Sequence, residues 1–193
     1  LEVTKVSDLF EVRIHGRAGQ GGKTGGQILA YAAFYEGKTV QAFPEYGSER
    51  RGAPTVAYTR ISNKEIRTHE PILNPDVVIV LDETYIFTLP VTKGLKEDGL
   101  LIVNTTKTPD EIKKIIKFNG KVLTVDATGI SISSVGREAP NIPTIGSLIK
   151  ETGVLKIESV EKAIEEIFVD KIGKNGVQKN VEALRRGYSE VKS

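Results

Sequence analysis

"FEVRIHGRAGQGGKTGGQILAYAAFYEGK", residues Phe10 to Lys38, passes from an alternating apolar–polar segment through a glycine-rich loop into a helical pattern. Val12 and Ile14 alternate with Arg13 and His15, which predicts a short strand stopping at Gly16. The loop, His15 to Gly26, holds six glycines in twelve positions. Beyond it Ile28, Leu29, Ala32 and Ala33 recur at helical spacing and Gly37 supplies a stop, so a helix is expected from about Gly25 to Glu36. "TVQAF" then reads as a second strand. Strand, glycine loop, helix and strand in that order open an α/β sheet.

The rest of the chain extends this pattern. "PDVVIVLD" (Pro75 to Asp82), "GLLIVNT" and "KVLTVDAT" each carry the apolar run of a parallel strand buried on both faces, and amphipathic segments separate them. "TVAYTRIS" and "EIRTH", around Asn63 and Lys64, are expected to form a β-hairpin. "NIPTIGSLIKETG", "SVEKAIEEIFVDKIG" and "KNGVQKNVEALRRGYSEV" read as helices, with Ser159 the expected N-cap of the second. The expectation is a Rossmann-like three-layer α/β fold with a mostly parallel sheet. It forms a single domain over residues 1–193, with a helical C-terminal portion from about residue 141.

Composition excludes several functions. The 27 basic and 25 acidic residues nearly cancel to +2 and form no basic stripe, so no nucleic-acid partner is expected. No apolar run approaches the roughly 20 residues of a membrane helix. "LEVTKVSDLFEV" lacks the basic start and apolar core of a signal peptide, and a cytoplasmic location is expected. The chain has no Cys, hence no disulfide, no thiol nucleophile and no ligands for an iron–sulfur cluster. His15 and His69 show no metal-ligand spacing, so no metal site is expected. Lys, Glu, Ile and Val in abundance, with no Cys or Met, fit a thermophile's protein.

A strand that enters a helix through glycines presents free backbone N–H groups and the positive end of the helix dipole, which suits a phosphate. The plain alternative is a tight turn that needs flexible residues. Two phosphate motifs nearly match. In the P-loop, Gly22-Lys23-Thr24 would be the end of the motif, but its first glycine falls at Arg17. Asp82 at the end of "VVIVLD" keeps this alternative, a P-loop-like NTP-binding protein, in play. In the dinucleotide fingerprint, Gly19 and Gly21 fit but the third glycine position holds Thr24, and "TVQAF" ends without an acidic ribose ligand. Without a complete motif, Asp82 and Asp126 read as strand-end residues capping the next segment. His15 reads as a packed strand-end residue bonded to backbone rather than a general acid or base.

Longer motifs are more selective. "IHGRAGQGGKTGGQILAYAA" followed by "QAFPEYGSERRGAPTVAYTRIS" resembles the gamma subunit of 2-oxoacid:ferredoxin oxidoreductases, above all the pyruvate enzyme. Gly16, Arg17, Gly19, Gln20 and Gly21 match one family loop, and Tyr46, Gly47, Glu49, Arg51 and Gly52 match a second. The likeness continues through "REAPNIPTIGSLIKETG" and "KNVEALRRGY" and spans nearly the whole chain. One departure is Gly22 followed by Lys23-Thr24, where family members often carry a Val-Thr pair.

The resemblance implies one subunit of a complex that oxidatively decarboxylates pyruvate to acetyl-CoA and CO2 and reduces ferredoxin. Thiamine diphosphate, Mg2+ and the [4Fe-4S] clusters are expected on alpha-, beta- and delta-type partner subunits. This chain is expected to be non-catalytic alone and to help bind coenzyme A and assemble the complex. Gly19, Gln20, Gly21 and Gly22 would offer donors to a coenzyme A phosphate, with Lys23, Thr24 and Arg17 adding charge and a hydroxyl. Tyr46, Glu49, Arg50 and Arg51 are expected at an interface or the edge of the active site.

Overall fold

The computed structural model describes residues 9–45 and 52–193. Its strands are β1 Leu9–Arg17, β2 Thr39–Glu45, β3 Pro54–Ser62, β4 Val77–Val80, β5 Leu100–Asn104 and β6 Lys121–Val125. Its helices are α1 Gly22–Tyr35, α2 Tyr85–Thr88, α3 Pro109–Ile116, α4 Ala127–Val135, α5 Asn141–Thr152 and α6 Ile157–Glu190. The strands form one sheet in the order β2–β3–β1–β4–β5–β6. β1, β4, β5 and β6 run parallel, and β3 lies antiparallel to both of its neighbours.

The expected hairpin does not form. β3 has β1 on one edge and β2 on the other, so neither edge is left for residues 65–69. That segment instead runs beside the sheet, where Arg60 donates to the Glu70 carbonyl and Gln41 bonds His69.

Side-chain alternation explains the apolar runs. In β4, Val77 and Ile79 face one core, together with Ile28, Leu29, Ile145, Leu148 and Leu184 of the overlying helices. Val78 and Val80 face a second core with Tyr85, Ile86, Leu101, Val103 and Ile112. Helices therefore cover both faces, giving the three-layer α/β fold read from the sequence.

Local chemistry sets several helix ends. Thr108 and Glu111 form a reciprocal capping box, with Pro109 in the first turn of α3. α1 begins at Gly22, earlier than its glycines suggested. The N-cap of α6 is Lys156, not Ser159, and the Lys156 N–H donates to Glu36 Oε1 at 2.7 Å. α6 breaks at Gly173 (φ 66°, ψ 173°), between the last two helical patterns of the sequence. Its second arm packs on α5 at van der Waals distance between backbones. A Cβ on Gly146 would lie 2.1 Å from the Leu184 carbonyl oxygen, and one on Gly187 would lie 2.0 Å from that of Pro143.

Candidate functional site

β1 leads by way of α1 to β2 on one side of the sheet, whereas β4, β5 and β6 extend the other side. The crevice beyond the carboxyl ends of β1 and β4 is therefore the topological switch point, where open α/β sheets bind ligands. The glycine loop lies there. Gly19 (φ 106°) and Gly21 (φ 84°) adopt left-handed backbone that disfavours any side chain. Gln20 N donates to the Arg17 carbonyl at 3.0 Å, and Gln20 Oε1 accepts from Arg17 N at 2.8 Å, so the loop is closed by its own backbone and amide. Gly21 caps α1 without a side chain, leaving the first N–H groups of the helix to an external acceptor.

Two adjoining pockets open from this loop and share Gln20 and Glu138. The smaller, about 120 Å3, is lined by Gly19, Gly21, Thr24, Arg137, Asn141 and Asn180, among others. The larger, about 440 Å3, lies over the ends of β4 and β5 against Asp82, Asn104, Thr105, Asp126 and Thr128. Asn141 is the first residue of α5, and its side chain presses on Gly21, the N-cap of α1. The N-termini of two helices thus meet at one small cavity. Both dipoles favour an anion there.

Not every residue expected at the phosphate reaches this cavity. Gly19, Gln20, Gly21 and Thr24 line it. Gly22 is buried in the first turn of α1. Lys23 is exposed and faces the opposite flank of α1, beside Gln27, Ala42, Phe43 and Tyr58. Arg17 turns away as well: Nε donates to Asp82 Oδ2 (2.5 Å), one Nη to Thr84 Oγ1 (2.9 Å) and the other to the Gly52 carbonyl (3.2 Å). Its guanidinium also lies over the Tyr85 ring. Burial works against the charge of Asp82, but hydrogen bonds from Thr84 and Arg17 outweigh it and hold the carboxyl below its ordinary range. Asp82 thus braces the β4–α2 turn, and Asp126 caps α4 by accepting from Gly129 N (2.8 Å). Tyr46, Glu49, Arg50 and Arg51 lie outside the described residues. Asn141, Arg137 and Asn180 were not singled out in the sequence, although the first two sit within the motif "REAPNIPTIG".

His15 precedes the loop on the sheet face opposite Ile14. Its Nε2 accepts from Arg13 Nε at 3.0 Å, so its partner is a side chain rather than backbone. An arginine N–H can only donate, which puts the imidazole proton on Nδ1, a buried atom with no partner among the described residues. Burial first, and the Arg13 charge second, lower its pKa to about 4. The folded chain therefore stays neutral at His15 while the unfolded chain takes up a proton below pH 6.5. Stability from this group is complete above about pH 6.5 and falls as pH drops towards 4, by up to about 3 kcal/mol. Carboxylates held low, such as Asp82, lose their contribution only at lower pH. Denaturant titrations of wild type and His15→Gln at pH 7 and pH 4.5 check this: the variant should lose much less stability between the two. Equal losses would contradict it.

The fold and its crevice define a three-layer α/β protein with a glycine-rich loop at the switch point of its sheet. A family model described as pyruvate ferredoxin/flavodoxin oxidoreductase matches residues 11–190. The chain is 49% identical to the pyruvate synthase subunit PorC of Thermotoga maritima, over 95% of each chain. It is also 49% identical to the pyruvate/ketoisovalerate oxidoreductases common subunit gamma of Thermococcus litoralis, over 95% of this chain and 97% of that one. The crystal structure of the Thermotoga maritima pyruvate oxidoreductase subunit PORC matches with a TM-score of 0.86 at 47% identity, covering 96% and 98% of the two chains. The chain belongs to the pyruvate ferredoxin/flavodoxin oxidoreductase family, as a gamma-type (PorC-type) subunit.

Proposed function

We propose that this chain serves a pyruvate-oxidising complex as the subunit that holds the phosphates of coenzyme A and helps assemble the enzyme. The observation that carries this reading is the meeting of the α1 and α5 N-termini at one cavity, with Arg137 on its lining. Free N–H groups at the start of α1, the Thr24 hydroxyl and the amides of Gln20 and Asn141 are the donors a phosphate requires. The thiolate ligands of an iron–sulfur cluster cannot come from a chain without Cys. The clusters therefore sit on partner chains, and the family resemblance assigns thiamine diphosphate, Mg2+ and the passage of electrons to ferredoxin to alpha-, beta- and delta-type partners as well. This chain binds and orients the acyl acceptor. Tyr46, Glu49, Arg50 and Arg51 are assigned to the interface edge by the family resemblance. The nucleoside-triphosphatase alternative gains nothing, because Asp82 is already engaged by Arg17 and Thr84.

The experiment is steady-state kinetics of the reconstituted complex, varying coenzyme A and pyruvate in turn. Lys23 is exposed and off the cavity, so it acts through a screened charge worth about 0.3–1 kcal/mol. Lys23→Ala should raise the coenzyme A constant about two- to fivefold and leave that for pyruvate unchanged. The chain alone should reduce no dye in the presence of pyruvate and coenzyme A. Activity of the isolated chain, or equal changes in both constants, would overturn the reading.

A further inference from the structure

Arg17 ends β1 where the glycine loop begins, and it lines neither of the two pockets that open there. Its backbone closes the loop: Arg17 N donates to Gln20 Oε1 at 2.8 Å, and Gln20 N donates to the Arg17 carbonyl at 3.0 Å. Its side chain ties that closed loop to the strands on either side of β1. Nε reaches Asp82 Oδ2 (2.5 Å) and Nη2 reaches Thr84 Oγ1 (2.9 Å), just beyond β4. Nη1 reaches the Gly52 carbonyl (3.2 Å), just before β3. Further bonds reinforce the β3 side: Ala18 N donates to the Ala53 carbonyl, and the Thr55 hydroxyl donates to that of Gly16, both at 3.0 Å. One residue therefore joins the ends of three adjacent strands to Gln20, the side chain on both pockets. A planar guanidinium fork suits such a set of acceptors, whereas an ammonium of the same charge does not.

We propose that Arg17 is a positioning residue for coenzyme A, fixing Gln20 and the loop N–H groups from behind rather than pairing with the phosphate itself. The proposal rests on the coenzyme A reading above. Asp82 is the fixed point that Arg17 grips, and it separates action by position from action by charge. If Arg17 acted by charge, Asp82 would be a repelling anion beside the cradle, and neutralising it would strengthen the hold on anionic coenzyme A. If Arg17 acts by position, neutralising Asp82 slackens the loop and weakens that hold. The two accounts differ in sign.

The test is steady-state kinetics of the reconstituted complex carrying Arg17→Ala, Arg17→Lys, Asp82→Asn or the Arg17→Ala/Asp82→Asn double variant. Arg17→Ala should raise the coenzyme A constant about tenfold, with the pyruvate constant and the rate at saturating coenzyme A unchanged. Arg17→Lys should restore little of this, because it keeps the charge and loses the fork. Asp82→Asn should raise the coenzyme A constant about two- to fivefold, and the double variant should be no worse than Arg17→Ala alone. The lysine and asparagine variants keep size and polarity, which guards against misfolding. Full rescue by lysine, tighter coenzyme A in Asp82→Asn, or an unchanged coenzyme A constant in Arg17→Ala would each overturn the proposal. Gly21→Val in the same assay probes the underlying reading on its own. If that variant leaves the coenzyme A constant unchanged, the reading fails and the proposal falls with it.

Discussion

Gly187→Ala should lower the stability of the chain by about 3 kcal/mol or more, a fall in Tm of roughly 6–12 °C. In an ordinary helix the same change is favourable by about 1 kcal/mol, because alanine is the better helix former. Here the sign reverses because the new Cβ would lie 2.0 Å from the carbonyl oxygen of Pro143 and 2.5 Å from its Cα. The obstacle is backbone, which cannot rotate away, so α5 and the second arm of α6 must separate. Separation would also stretch the bond from the Ser147 hydroxyl to the Gly187 carbonyl (2.9 Å), leaving a fully buried hydroxyl weakly paired. Asn141 lies only two residues before Pro143 in the first turn of α5, so the cavity wall should loosen with it. Thermal unfolding of the purified chain checks this, and an unchanged or higher Tm would contradict the close packing.

The second large effect is expected at Gly21. A Cβ there falls 2.6–2.8 Å from all three terminal atoms of the Asn141 amide, on backbone already at φ 84°. Placing an L-residue in that conformation costs about 1–2 kcal/mol, and a β-branched one more. Asn141 is a side chain and can swing aside, unlike the Pro143 backbone. Gly21→Val should therefore injure ligand binding more than folding. It displaces an amide from the cavity and blocks the approach of an anion to the start of α1. Loss of one or two well-formed charge-assisted hydrogen bonds corresponds to roughly a tenfold to hundredfold weaker hold on coenzyme A.

How much of this was legible in the sequence depended on whether the cause was local. β1, the glycine loop and α1 follow from alternation, punctuation and helical spacing within one continuous stretch. The β4, β5 and β6 runs were equally clear, because burial on both faces leaves an apolar signature that needs no knowledge of the neighbours. The break at Gly173 falls at the boundary between two stretches that the sequence presents as separate helical patterns. What escaped was fixed at long range. β3 alternates like a hairpin strand, and nothing in its residues records that β1 and β2 occupy both its edges. The start of α6 is set by a carboxylate 120 residues away, Glu36 accepting from Lys156 N. In the site, the glycine loop suggested an anion, but nothing in it showed which cations the fold would bring near. Arg17 is held by Asp82, and Lys23 points to the far flank of the helix. Asn180 gave no signal at all, since a lone asparagine in an amphipathic helix reads as surface until its burial is known.

The position proposed for the phosphate of coenzyme A is where the glycine loop meets the first turn of α5. Its most direct test is an equilibrium titration of coenzyme A into the assembled complex, built once with wild-type chain and once with Gly21→Val, with pyruvate titrated in parallel. Coenzyme A should bind the variant complex at least about tenfold more weakly while pyruvate binds both alike. Undiminished coenzyme A affinity in a fully assembled Gly21→Val complex would contradict the claim.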